Sequence, residues 1–294
     1  MDERIVIVVP PGINKVRLED FLLDRFPRLS KMYLREIVKA EQCEVNGRSE
    51  NIGFRLRQND LVEVVLDASR ETAMLPEDIP LEIVFEDRDV VVVSKPAGML
   101  THPSHKEKTG TLLNALAHYL NGDRGAKAMI RPGLVHRLDK ETSGLMIVAK
   151  NARAHRILSG QFMKKRVEKR YLALVEGIVG NDAGTIEAPI GRDAELKHWG
   201  VREGGKHSVT RFRVRERRSD TTLLELEPVT GRTNQLRIHC ELLGHPIVGD
   251  VRRGGREFDR LCLHAFRIGF AHPVTSEAIS LDQAPSGFPE SLLR

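Results

Sequence analysis

Aromatic side chains make up only 5% of the sequence, with one Trp and three Tyr. An extended platform of base-stacking rings is therefore not expected. Cysteine is equally scarce. Cys43, Cys240 and Cys262 lie far apart and form no CxxC pair, which leaves zinc and dithiol motifs unsupported. An odd, scattered set fits thiols packed as small apolar groups in a reducing compartment, so a cytoplasmic location is expected. No apolar run approaches membrane-spanning length, and no membrane association is expected. The Ile5–Val9 run is too short for a signal segment, and acids precede it. His102 and His105 stand three apart, but no carboxylate or cysteine completes a ligand set, and no metal is expected. Neither a phosphate-cradling glycine loop with Lys-Ser/Thr nor a dinucleotide fingerprint occurs.

What is present is a 294-residue chain with a formal charge of +5 and a pI of about 9.2. That mild basic excess is compatible with nucleic acid. The length suits one large domain with a small module. Residues 16–66 have the pattern of that module. Leu18, Phe21, Leu22 and Phe26 repeat at helical spacing and stop at Pro27. Ser30 is a good N-cap for a second helix, Lys31 to Ala40. Lys31, Arg35 and Lys39 repeat along one face of it, either as an RNA-binding face or as a solvated one. Cys43 to Val45 reads as a strand entering an Asn46-Gly47 turn, and Asp60 to Leu66 closes the unit. Residues 1–66 hold 11 basic against 11 acidic residues, so the net excess lies beyond them. Residues 67–80 are acidic, weakly periodic and carry Pro76 and Pro80, as a linker would.

Residues 81–294 read as one larger domain. Strands are expected at Leu81–Phe85, Val90–Val93, Lys169–Val175, Thr185–Ile190, Val209–Arg217, Thr221–Pro228 and Leu261–Phe270. Helices are expected at Thr111–Leu120, Ala152–Lys165 and Thr233–Leu243. Many strands with few intervening helices predict an α+β fold with a large mixed or antiparallel sheet.

The stretch Gly133 to Lys150, GLVHRLDKETSGLMIVAK, is the centre of the domain. It sets Arg137 and Asp139 in a polar loop just before Leu145–Ala149, a run with the length and composition of a core strand. A loop held by a rigid strand is a common position for a reacting group, although an Asp there also serves as a turn residue. Two basic tracts stand out. One covers residues 150–170. The other places arginines at 211, 213, 215 and 217, where period two puts all four on one strand face.

The whole stretch around Asp139 resembles the second motif of the RluA-type pseudouridine synthases. VVVSKPAGMLTHP (91–103) resembles their first motif, KRYLALVEG (169–177) their tyrosine segment, EPVTGRTNQLRIHCELLGHPIVGD (227–250) their third motif, and RLCLHAFRIGFAHP (260–273) their C-terminal signature. These span nearly the whole large domain in order. The N-terminal helices followed by VNG and a strand resemble the S-four-type RNA-binding domain.

The resemblance implies an RNA pseudouridine synthase with Asp139 as the catalytic carboxylate. Arg237 would pair with Asp139, Tyr171 would stack on the target base, and Arg137 would face the RNA. Arg232 belongs to the same neighbourhood or to a phosphate. Lys31, Arg35, Lys39, Arg211 and Arg213 would hold RNA. Lys95 and His136 read as support. Asn234 departs from the family, which commonly has His there. The reaction is an internal rearrangement, so no cofactor is implied. The expected substrate is ribosomal RNA of the large subunit, with transfer RNA as the alternative, and the chain is expected to be a monomer. A non-catalytic RNA-binding protein on the same fold, or a hydrolase pairing Asp139 with Glu141, would be the competing classes.

Overall fold

Ser30 has an extended backbone and accepts the backbone N–H of Tyr33 at 3.1 Å, so the helix that follows starts where the sequence puts it. A computed structural model describes residues 2–27, 29–68, 75–104, 106–122, 130–193 and 198–288. His105 and residues 69–74 of the expected linker lie outside them. The described chain divides into two units. The first comprises residues 1–79, 103–133 and 150–153, and the second residues 80–102, 134–149 and 154–294.

In the first unit the chain forms β1 (Glu3–Val8), β2 (Asn14–Arg17), α1 (Leu18–Arg25), α2 (Lys31–Lys39), β3 (Cys43–Val45), β4 (Arg48–Ser49), β5 (Arg55–Arg57), β6 (Leu61–Leu66) and, later, α3 (Leu112–Asn121). A four-stranded sheet runs β1-β6-β3-β4, and β2 pairs with β5. The sheet thus begins at Glu3, ahead of the boundary expected at residue 16. Leu18 and Leu22 of α1 and Leu34 of α2 are buried against Val62 and Val64 of β6. Asn46 and Gly47 both have positive φ, 53° and 71°, as a tight primed turn demands.

The second unit holds β7 (Glu82–Glu86), β8 (Val90–Lys95), β9 (Gly133–Leu134), β10 (Ser143–Ala149), α4 (Ala152–Met163), β11 (Glu168–Glu176), β12 (Ala183–Arg192), β13 (Trp199–Val201), β14 (Lys206–Arg217), β15 (Thr221–Pro228), α5 (Gln235–Leu242), β16 (Leu263–Ala271) and β17 (Ala278–Asp282). One eleven-stranded sheet runs β13-β12-β14-β15-β11-β16-β10-β8-β7, with β17 on β16 and β9 on β10. Almost all pairings are antiparallel; β10 with β16 is parallel. The α+β class with a large mixed sheet is what the strand-rich pattern predicts. Every residue of β10 is buried, because the strand has neighbours on both edges and its Leu145, Ile147 and Ala149 pack with Leu158 of α4. No described helix is long and apolar enough to cross a membrane.

Candidate active site

The Asp139 loop is clamped on both sides of the carboxylate. Thr101 donates its hydroxyl to the Leu138 carbonyl at 2.8 Å. Lys95, fully buried, donates to the carbonyls of Pro96 (2.7 Å), Met99 (2.8 Å) and Lys140 (3.1 Å). The carbonyls before and after Asp139 are therefore fixed by the segment that follows β8. Burial pulls the Lys95 ammonium down to about 7, but three carbonyls each require a donated hydrogen, which only the charged form supplies in full. Lys95 is support for the loop, as its sequence context suggests. His136 is support as well. Its Nε2 accepts the Ile147 N–H at 2.9 Å and its ring stacks on Phe162 at 4.6 Å. Burial pushes its pKa down to about 3, so the ring is neutral.

One residue of β16 aligns the two halves of the site. Ala265 pairs with Gly144 in the parallel ladder and with Tyr171 in the antiparallel one. Gly144 has φ +118°, and a Cβ there would lie 2.4 Å from the Ala265 carbonyl oxygen. Only glycine permits this approach.

The strands and loops enclose a cleft of about 540 Å³ whose walls include Asp139, Arg137, Tyr171, Arg232 and Arg237. All five residues singled out from the central motifs thus line one space. Asp139 is partly buried, and burial holds its carboxyl above the ordinary range. The charges of Arg137 and Arg237, the backbone N–H of Asn234 and the charge of Lys95 pull it back down. Tyr171 is buried, and burial together with the Asp139 charge raises its hydroxyl above the usual value. Asn234 has φ +55° and leads into α5, a conformation Asn tolerates. The change from His therefore sits where a left-handed residue is needed.

Arg237 departs from expectation. Its fork is closed on Asp250, with Nε–Oδ2 and Nη2–Oδ1 both 2.6 Å. Asp139 is near enough to feel its charge but is not its hydrogen-bonded partner. Asp250 is 2% exposed and was missed in sequence, where Gly249-Asp250 has the composition of a turn. Gln235, at the head of α5, accepts from the Arg232 N–H at 3.0 Å and donates to the Val209 carbonyl at 2.9 Å. This ties the loop before α5 to β14. Arg232 is exposed, with Nε on the His207 carbonyl at 3.2 Å.

The basic rows divide. Arg211 lines the cleft, and Arg213 lines an adjoining one of about 510 Å³. A bulge between Val214 and Glu216 adds one residue to β14, which turns Arg217 to the opposite face. There it donates to the Val179 carbonyl at 2.8 Å and to Asp182 at 2.7 Å. The four arginines therefore do not share a face, as alternation alone implied. On α2, Arg35 is hydrogen-bonded to Glu19, Lys31 lies 3.5 Å from the same carboxylate, and Lys39 is exposed.

Residues 89–242 match the RNA pseudouridylate synthase family. The chain belongs to that family. It is 40% identical over 270 residues to an RNA pseudouridine synthase of Bacillus subtilis, covering 90% of this chain and 89% of the relative. It is 38% identical to ribosomal large subunit pseudouridine synthase D of Xanthomonas campestris, covering 98% and 90%. The solved structure of human RNA pseudouridylate synthase domain containing 1 superimposes with a TM-score of 0.60 at 31% identity, covering 76% of this chain and 89% of that one. The protein is thus an RNA pseudouridine synthase, and its substrate is RNA. A synthase must accommodate a base taken out of its stack, and the cleft offers a carboxylate, an aromatic side chain and several cations for it.

Outside the cleft, Asp87, Asp89 and His272 bring three ligand-type atoms within 4.8 Å of one another. The His272 Nδ1 accepts from the backbone N–H of Thr275 at 3.1 Å, so its Nε2 carries the proton and faces Asp87 at 2.8 Å. That tautomer leaves no ring lone pair for a metal.

Proposed function

We propose that this synthase isomerises specific uridines in large-subunit ribosomal RNA, with Asp139 as the carboxylate at the reacting sugar–base junction. The observation that carries the reading is the placement of Asp139 in the cleft, beside Tyr171 and among Arg137, Arg237 and Lys95. In the reaction the bond from ribose to the ring nitrogen breaks, the base turns, and the ribose carbon rejoins the ring through carbon. The hydrogen on that ring carbon leaves and the freed nitrogen gains one, so no external reactant is consumed. Attack by the carboxylate and removal of a sugar proton both require it ionised, and the surrounding cations favour that form.

Tyr171 packs on the flipped base, and Arg137, exposed at the mouth, takes the gap or the distorted phosphates left in the RNA. Residues 16–66 serve as an S-four-type RNA-binding module. The ribosomal assignment is supported by relatives named as large-subunit synthases. A cytoplasmic, monomeric enzyme without a dissociable cofactor completes the reading.

The test is Asp139→Asn and Asp139→Ala under single-turnover conditions, together with pseudouridine mapping across cellular RNA with and without the protein. Activity within about tenfold of the parent would remove Asp139 from its role, since general acid–base or nucleophilic contributions are typically 10²–10⁴-fold or more. Sites lost only from transfer RNA would move the substrate to that class.

A further inference from the structure

Lys165 and Lys169 both line the Asp139 cleft. Among the described residues neither ammonium group has an ion pair or a hydrogen bond. Their neighbours differ. Arg170 is 2.7 Å from Glu227, and Arg211 is 3.8 Å from the same carboxylate. Glu168, the carboxylate next to Lys169, also lines the cleft, and it approaches Arg170 at 3.3 Å. The charge of Asp139 is met by Arg137, Arg237 and Lys95. Among the described residues Lys165 and Lys169 thus line the cleft with neither a carboxylate nor a hydrogen-bond partner on their ammonium groups.

Each position carries a cost that its role in the fold does not explain. Lys169 is partly buried, and burial plus the charge of Lys165 hold its ammonium below the ordinary value. It stands two residues before Tyr171 on the same strand face, so their backbone positions are roughly 6–7 Å apart. Lys165 has φ +54°. It ends α4 with Lys165 N–H on the Phe162 carbonyl (3.1 Å) and Arg166 N–H on the Gln161 carbonyl (2.9 Å). That is the doubled closure at which glycine is the ordinary occupant. A lysine there loses stability and gains an ammonium at the cleft.

We infer that Lys165 and Lys169 together bind one phosphodiester of the RNA strand beside the nucleotide presented to Asp139. The inference rests on the reading of Asp139 as the reacting centre. A nucleotide flipped into the cleft brings its flanking phosphates with it. Ammonium groups on flexible stems suit such a contact, which positions RNA without reading its sequence. The arriving anion supplies the counter-charge that the two lysines lack.

The experiment compares Lys165→Gly, Lys169→Met and Lys169→Arg, all in an Asp139→Asn background that leaves the RNA unreacted. Each is titrated with a large-subunit ribosomal RNA transcript over a salt series. Lys165→Gly and Lys169→Met should each bind roughly five- to tenfold more weakly and flatten the log K against log salt slope by about 0.7, the value for one phosphate on a single strand. Lys169→Arg should keep the parent slope. Lys165→Gly should melt at or above the parent temperature, so weaker binding there is not a folding defect. It also carries the test if Lys169→Met does not fold. Unchanged affinity and slope in Lys165→Gly and in any folded Lys169→Met overturn the inference. A chain with Asp139 intact that binds the transcript but forms no pseudouridine in it overturns the ribosomal assignment instead. The slope comparison still stands in that case, because phosphate contact is independent of sequence.

Discussion

Arg237 closes its fork on Asp250, at 2.6 Å from both Nε and Nη2, while Asp139 senses the same guanidinium only as a nearby charge. Asp250 is therefore the residue that aims Arg237, and Arg237 joins Arg137, the Asn234 N–H and Lys95 in lowering the Asp139 carboxyl. Asp250→Ala leaves a partly buried guanidinium without its partner and should destabilise the fold by about 3–5 kcal/mol in denaturant titration. Arg237→Met removes a charge that lowers the Asp139 carboxyl. Activity, which needs that carboxylate, should then be lost at a higher pH than in the parent as the solution is acidified. Arg237→Lys should sit between. A fully active Arg237→Met with an unmoved acid limb would show that Asp139 does not depend on Arg237.

Asp139 should cost the protein stability. Its carboxyl is held above the ordinary value by burial, so the folded chain binds that proton more tightly than the unfolded chain. Stability contributed by this group falls as the pH rises from the unfolded to the folded value, and the penalty persists above it. Asp139→Asn cannot ionise. It should melt above the parent at pH 7, by a margin that shrinks as the pH drops below the ordinary carboxylate value. Calorimetry across that pH range checks this, and a margin independent of pH would contradict it.

Gly144 and Gly204 form a matched pair for substitution. Both have positive φ, +118° and +75°. A Cβ on Gly144 meets the Ala265 backbone at 2.4 Å, whereas one on Gly204 meets nothing within 4 Å. Gly204→Ala should cost only the left-handed penalty, about 1–2 kcal/mol. Gly144→Ala should cost more than that or prevent folding, because the pairing of β10 with β16 must give way. Equal unfolding free energies would refute the distinction.

Lys95→Met keeps the side-chain length and removes the donor to three carbonyls. Unsatisfied buried acceptors cost about 1–3 kcal/mol each, and the loop carrying Asp139 loses its anchor. Turnover should fall together with the melting temperature. A variant that melts like the parent would mean that water replaces the ammonium group.

Extensive dialysis against a chelator should leave pseudouridine formation intact, provided magnesium is restored for RNA folding. The His272 Nδ1 is taken by the Thr275 N–H and its Nε2 faces Asp87, and the isomerisation consumes nothing. Activity recovered specifically by zinc would reverse this expectation.

The central loop was legible because its signals are local. Arg137 and Asp139 precede an apolar run, and that run is a fully buried strand. Ser30 caps its helix for the same reason. Asp250 was not legible, because its partner lies thirteen positions earlier on a helix and no spacing rule links the two. The bulge in β14 was hidden as well. Alternating arginines look the same with or without an extra residue opposite the partner strand. β1 was read only as an apolar run too short for a signal segment, since a single edge strand gives no hint of its neighbour β6 until the register Glu3 to Leu66 is seen.

β16 lies between β10 and β11 in the sheet, and this orders events during synthesis. The strand behind Asp139 and the strand bearing Tyr171 share no neighbour until residues 263–271 have left the ribosome. A nascent chain shorter than that presents two unpaired edges, one of them on β10, every residue of which is buried in the finished fold, to any other extended segment nearby. The two halves of the site can therefore be aligned only once β16 has been made, and a nonsense mutation between codons 251 and 263 would yield a polypeptide with every motif up to Asp250 present and β10 and β11 unjoined.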